Sequence, residues 1–368
     1  MFESRLIFPL NRWHNHSSCI VECPDGSLLV CWYSGSGERE ADDVRILGAR
    51  FSHGRWSRPF LMADTPDYPD LNPILFFDPR GRLWLLWATI LDHRWEGALL
   101  KYRIARRPGK RGCPHWEAGD VFHISPNERF VSLLESWAER VAKVDPVRAE
   151  RLRQLNASEL SQRLGWMPRN HPLILGNRIL LPLYSDGFDL ALIAISEDAG
   201  ETWQLSEPLL SVGGIQPSLV QRQDGTLVAF LRDNGPPPKR VMTCFSTDGG
   251  YSWSEVTKTE IPNPGSSLEV IALQTGEWLM VANDTSEGRH QLALLLSPDE
   301  GRTWHLKCYL EQGNGSYSYP SVIQAHDGTI HITYSYAVPT STGRQSAIKW
   351  VCFTREWLER CESWMPHG

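Results

Sequence analysis

Three copies of one eight-residue pattern, Ser196-Glu-Asp198-Ala-Gly200-Glu-Thr-Trp203, Ser246-Thr-Asp248-Gly-Gly250-Tyr-Ser-Trp253 and Ser297-Pro-Asp299-Glu-Gly301-Arg-Thr-Trp304, set their tryptophans 50 and 51 residues apart. A period of that length is too long for most helical solenoids and matches one four-stranded sheet per repeat, the blade of a β-propeller. Tight-turn glycines between apolar runs, at Gly26, Gly81, Gly176, Gly225, Gly276 and Gly328, each read as a hairpin and predict six blades. The spacing is 55 residues from Gly26 to Gly81, 51 from Gly225 to Gly276 and 52 from Gly276 to Gly328. Only the gap from Gly81 to Gly176 is nearly double. Weaker motif remnants, Gly54-Arg-Trp56-Ser57 and Gly112-Cys-Pro-His-Trp116, close the first two blades, so the excess reads as an insertion rather than a seventh blade.

That insertion, about residues 125–166, is rich in Leu, Ala, Glu and Arg. Its apolar residues Val131, Leu134, Trp137, Val141 and Val144 fall at helical spacing. Pro146 ends this helix, and a second is expected over 147–164. The insertion is placed between the third strand of blade two and the first strand of blade three. Elsewhere polar and apolar residues alternate, as in Thr226-Leu-Val-Ala-Phe-Leu231, which predicts strands. The expected fold class is all-β, a six-bladed propeller with one helical insertion, and a single such domain uses residues 1–368.

At 368 residues, 41% apolar and with 16 tryptophans, the chain can bury a substantial core. The first residues lack the basic start and apolar stretch of a secretory signal, and no window is apolar enough to span a bilayer, so a cytoplasmic protein is expected. Of the eight cysteines, Cys19, Cys23, Cys31, Cys244, Cys308 and Cys352 lie in strand patterns without CxxC spacing and are expected to be buried thiols, with no disulfide, metal or other cofactor. A net charge of −6 without a basic stripe argues against a nucleic-acid partner. No membrane partner is expected, and nothing in the sequence specifies an oligomeric state.

In a propeller the first strand of each blade lines the central channel, and residues at its start ring the pocket mouth. Counting nine back from each turn glycine gives Ser17, Asn72, Gln216, Ser267 and Tyr319, with Asn170-His171-Pro172 in the corresponding place of blade three. This ring of hydroxyls, amides, an imidazole and a phenol suits a hydroxyl-rich ligand, so a carbohydrate is the expected partner.

The repeated S-x-D-x-G-x-[ST]-W pattern resembles the Asp box of the sialidase superfamily and its BNR-repeat relatives, most closely over 215–336. Tight-turn chemistry makes the boxes fold staples: Asp198, Asp248 and Asp299 accept turn hydrogen bonds, and Trp203, Trp253 and Trp304 pack between sheets. The resemblance implies substrate-carboxylate binding by arginines, a tyrosine nucleophile assisted by a glutamate, and an aspartate acid. Tyr319 falls on the nucleophile position, Arg232 matches one arginine and Arg289 is a looser match to another. Two departures stand out: His16 occupies an arginine position, and Gln216 stands where the assisting glutamate would be. The acid's place falls in Ser34-Gly-Ser-Gly-Glu38-Arg39-Glu40-Ala-Asp42-Asp43, where Glu38 is the first choice over Glu40, Asp42 and Asp43.

The expected catalytic set is therefore Tyr319, Glu38 and His16, with Arg232, Arg289, Gln216, Asn72, His171, Asn170 and Ser267 binding substrate. The resemblance implies an exo-glycoside hydrolase acting on an acidic or non-standard sugar. A uronate lyase using His16 with Tyr319, and a carbohydrate-binding propeller without turnover, are the alternatives.

Overall fold

The first strand in the sequence is the last strand of the last blade. In the computed structural model, which describes residues 1–361, Phe2–Leu6 pairs antiparallel with Gly343–Phe353 and completes the sheet of blade six. This closure joins the chain's ends and leaves no blade with an unsealed seam. Six antiparallel sheets result, the number that the turn glycines predict. Their innermost strands are His14–Glu22, Asp70–Phe77, the short Met167–Pro168 and Leu173–Leu175 pair, Gly214–Gln221, Glu269–Ala272 and Ser316–Gln324. The second strands are almost wholly buried, as in Leu28–Gly35 and Leu83–Ile90, because sheets pack on both of their faces. Among the described residues no helix is long and apolar enough to cross a membrane.

Each of the three Asp boxes closes the turn between the third and fourth strands of its blade, at the end remote from the channel mouth. In the first, Asp198 accepts from Thr202 N (2.9 Å) and Thr202 Oγ1 (2.6 Å), Ser196 Oγ accepts from Gly200 N (2.8 Å), and Trp203 Nε1 donates to Gly200 O (3.2 Å). Asp248 and Asp299 repeat the pattern with Ser252 and Thr303. These carboxylates are engaged in turn geometry.

The insertion forms three helices: α1 (Glu128–Val141), α2 (Pro146–Asn156) and α3 (Glu159–Arg163). Asn127, Asp145 and Ser158 cap their first turns by accepting from Phe130 N, Arg148 N and Ser161 N. Pro146 sits at the start of α2, where its missing N–H costs nothing. Three expectations change here. The apolar face of α1 is Phe130, Leu134, Trp137, Ala138 and Val141; Val131 is only half-buried, and Val144 lies beyond the helix end, 80% exposed. The second helix is split, because Ser158 caps a new turn. Blade two also has a fourth strand, Ala118–Val121, so the insertion follows a complete blade rather than interrupting one. Arg151 reaches Glu96 and Arg148 reaches Asp189, loops at the mouth end of blades two and three, so the helices flank the channel entrance.

Candidate active site

Four blades begin their inner strand with the same irregularity. Opposite Trp32, Trp87, Leu231 and Tyr334 the inner strand places two residues against one: Ser17-Ser18, Asn72-Pro73, Gln216-Pro217 and Tyr319-Pro320. These are β-bulges, and their first residues take left-handed backbone, with φ of 56° at Ser17, 49° at Asn72, 55° at Gln216 and 57° at Tyr319. Proline suits the second position because it has no N–H to leave unpaired. The bulge turns the side chain of each first residue toward the axis, and four non-glycine residues in this conformation at one level carry a backbone cost characteristic of functional sites. Ser267 in blade five lacks this geometry, since its strand begins later, at Glu269.

Tyr319 is the centre of the mouth. Its hydroxyl accepts from Arg232 Nη1 at 2.8 Å and from Gln216 Nε2 at 3.4 Å, while Gln216 Oε1 accepts from Arg232 Nη1 at 3.4 Å. The guanidinium carbons of Arg169 and Arg289 lie 5.0 and 5.2 Å from its ring centroid, and the His16 ring packs at 4.2 Å. Burial works to raise the phenol's pKa, but Arg232 and Arg289, with the Gln216 amide, outweigh it and hold the phenol below its usual range. Among the described residues none of these three arginines makes an ion pair with a carboxylate. The Nε atoms of Arg169 and Arg232 are buried without any partner, as are Ser17 Oγ, Asn170 Oδ1, Ser266 Oγ and Ser267 Oγ. The mouth thus gathers guanidinium groups and polar side-chain atoms that have hydrogen-bonding capacity to spare.

Glu38 sits across the mouth on the blade-one loop. Its Oε1 accepts from Tyr33 Oη at 2.5 Å, and the same hydroxyl lies 3.3 Å from His14 Nε2. A cavity of about 440 Å³ opens beside it, lined by His14, His16, Glu38, Arg289, Ser318 and Arg344 among others. The other acids of that loop are occupied elsewhere: Asp43 accepts from Ser36 N and Oγ, closing the loop, Asp42 faces His93 Nε2 at 2.7 Å, and Glu40 pairs with Arg39. His16 is pushed well below the usual histidine pKa, first by burial and then by His14 and the surrounding arginines, so it is a neutral ring at neutral pH.

Other sequence-derived candidates play quieter parts. Asn72 donates to Tyr184 Oη at 3.0 Å. Asn170 donates to Gln216 O and Pro217 O, bracing the blade-four bulge. His171 is turned into the axis below the mouth, with Nδ1 2.8 Å from Glu269 Oε1 and Nε2 2.8 Å from Ile20 O and 3.3 Å from Cys19 Sγ. Both of its nitrogens are taken, so it forms part of a buried polar plug and does not join the mouth residues. Ser267 is fully buried.

Two residues outside the sequence-derived set stand beside the mouth. Arg169, beside the recognised Asn170-His171-Pro172, donates from Nη2 to Pro320 O at 2.8 Å. Its place directly before the strand-start Asn170-His171-Pro172 is the sequence signal that marks it. Asp186 follows the strand Arg178–Ser185; burial, despite Arg232 nearby, raises its pKa to about 6, with Asp189, Glu38 and Glu96 adding to the rise. No local motif marks it, because its setting is created by three separate blades.

The family model described as a BNR repeat-like domain matches residues 150–332. A sialidase from Micromonospora viridifaciens is 28% identical over 178 residues, 46% of this chain and 26% of that protein's length. Among solved structures, a protein of unknown function from Dyadobacter fermentans aligns with a TM-score of 0.71 at 16% identity, over 95% of this chain and 97% of its own. The NanB sialidase of Streptococcus pneumoniae aligns with a TM-score of 0.69 at 12% identity, over 96% of this chain and 70% of its own. At these identities the structural likenesses establish the fold.

Proposed function

We propose that this chain, a member of the sialidase-like superfamily of BNR-repeat propellers, is an exo-acting glycoside hydrolase that takes a terminal sugar bearing a carboxylate. The observation that carries the reading is the convergence of Arg232, Arg289 and Arg169 on Tyr319, with no carboxylate among the described residues in ion-pair contact with any of the three. Arg232 and Arg289 bind the substrate carboxylate through charge-assisted hydrogen bonds. Tyr319 is the nucleophile. In place of a base, two donors, Arg232 and Gln216, point at its oxygen and stabilise the phenolate directly. With its proton lost to water, the Tyr319 phenolate attacks the anomeric carbon while the bond to the leaving oxygen breaks, and Glu38 in its acid form gives that oxygen a proton. In the second half Glu38 takes a proton from water, whose oxygen displaces Tyr319 and releases the free sugar. Asn72, Gln216 and the bulge residue Ser17 offer the polar ring that a hydroxylated ligand needs.

The contact between His16 and Tyr319 favours a second reading, a uronate lyase in which this pair moves the protons. The low basicity that burial imposes on His16 weighs against it. Incubation with α-sialosides, related ulosonic-acid glycosides and uronic-acid oligosaccharides tests both. Release of a free acidic sugar with one added water supports the hydrolase, an unsaturated uronate supports the lyase, and tight binding without product supports a non-catalytic carbohydrate-binding propeller.

A further inference from the structure

The helical insertion supplies none of the groups assigned above, yet a continuous line of polar contacts joins it to Tyr319. Arg148 on α2 donates from Nη1 to Asp189 Oδ2 at 2.6 Å, and Asp189 Oδ1 accepts from Asn234 Nδ2 at 3.1 Å. Asn234 Oδ1 in turn lies 3.5 Å from Arg232 Nη2, and Arg232 Nη1 reaches the Tyr319 hydroxyl at 2.8 Å. The blade-three loop in the middle of this line is gripped twice. Its Phe188 stacks on Trp166 at 5.8 Å and meets Phe130 of α1 at 5.9 Å, while Asp189, held at φ 57°, is pinned from both sides by Arg148 and Asn234.

We infer that the insertion is a positioning element of the active site, in which Arg148 neutralises and anchors Asp189 so that Arg232 stays on Tyr319. The physical reason is the competition for Arg232. Asp189 is largely buried, its side chain only 17% exposed, and a carboxylate in that setting requires a cation. With Arg148 in place the requirement is met from the insertion. Without it, an unpaired carboxylate sits one hydrogen bond from Asn234, which already touches Arg232, and draws the guanidinium away from the phenol. Supporting groups of this kind decide whether a reactive group is held within the tolerance that catalysis needs.

The inference rests on Arg232 and Tyr319 being the working pair of the site, but its test needs no substrate, so the two can fail separately. The ionisation of Tyr319 is followed by tyrosinate absorbance, as the difference between each variant and the same variant carrying Tyr319→Phe. Arg148→Ala should move this ionisation upward by about half a pH unit or more, because Arg232 no longer stabilises the phenolate as well. Adding Asp189→Asn to Arg148→Ala should reverse most of that shift by removing the unpaired carboxylate. Arg129→Ala, which breaks a different ion pair of the insertion, with Glu207, should leave the ionisation at the wild-type value. If Arg148→Ala does not fold, Asn234→Ala keeps the Arg148–Asp189 pair and should give the upward shift. An ionisation unchanged in Arg148→Ala, or in Asn234→Ala where that variant stands in, overturns the inference.

Discussion

The hydroxyl of Tyr319 in blade six accepts a 2.8 Å hydrogen bond from Arg232 in blade four, 87 residues away in sequence. The contact links two blades at the mouth and, against the opposing effect of burial, helps Arg289 and Gln216 to hold the phenol below its usual pKa range. In the proposed mechanism these donors to the phenolate stand in for a base beside the tyrosine.

Arg232→Lys keeps the charge but loses the planar fork that reaches Tyr319, Gln216 and a carboxylate together. Activity on the acidic substrate should fall by roughly tenfold to a hundredfold in kcat/KM, the range for hydrogen bonds to charged groups of about 1.5–3 kcal/mol. Steady-state kinetics on the substrate found in the panel checks this; an unchanged kcat/KM would remove Arg232 from the site.

Gln216→Glu exchanges a donor to the Tyr319 oxygen for a negative charge. The expected result is a rise in the Tyr319 pKa, so that the limb on which activity increases with pH moves to higher pH. A pH–rate profile reads the direction. A limb displaced to lower pH would mean that the glutamate acts as a base and that the donor account is wrong.

Beneath the mouth, the His171–Glu269 pair predicts a pH-dependent stability. Burial works to lower the His171 pKa, but Cys19 and Glu269 hold it well above its usual value; burial works to raise Glu269, but His171 and backbone donation hold it below the carboxylate range. The His171 contribution is complete below about pH 6.5 and is lost as pH rises through its elevated folded value. The Glu269 contribution is complete above about pH 4.3 and is lost as pH falls through its depressed one. Stability from this pair is therefore greatest between those limits. Glu269→Gln should cost about 3–5 kcal/mol at pH 5.5 by stranding a buried imidazolium, and should flatten the decline toward pH 9. Urea midpoints at the two pH values decide it; equal stability of wild type and variant at pH 5.5 would contradict the pairing.

Asp186 should act on stability in the opposite sense. Its carboxyl is protonated in both states below about pH 3.8, and above its folded value of about 6 the ionised form penalises the native state. Asp186→Asn should raise the thermal midpoint at pH 7.5 and leave it unchanged at pH 3.5. A lower midpoint at pH 7.5 would show that the carboxylate is held by a favourable partner instead.

Asp248→Ala removes the turn acceptor of the second Asp box at the end remote from the mouth. A drop of about 2–4 °C in Tm with kcat/KM within about twofold of wild type is expected. Loss of activity without loss of stability would reassign the box to function.

Repetition made the fold legible. Outside the insertion, turn glycines and three boxes repeat with the blade period, and the same count, nine back from the glycine, lands on Ser17, Asn72, Gln216 and Tyr319, the four left-handed bulge residues. What stayed hidden was non-local. The N-terminal strand Phe2–Leu6 carries no motif that marks its place, and its partner in blade six lies more than three hundred residues away. Asp186 has no motif of its own, since burial and neighbours from other blades give it its character. The sequence position of His171 fits the ring at the mouth, but its side chain turns inward because Glu269 offers a buried partner below.

The most direct test of the central claim is mass spectrometry of the wild-type and Tyr319→Phe proteins incubated with the acidic-glycoside panel in ¹⁸O-labelled water. The account predicts a released acidic monosaccharide carrying one ¹⁸O at its anomeric position, formed by the wild type and lost in Tyr319→Phe. An unsaturated product without label, or no product from any acidic glycoside, would contradict it.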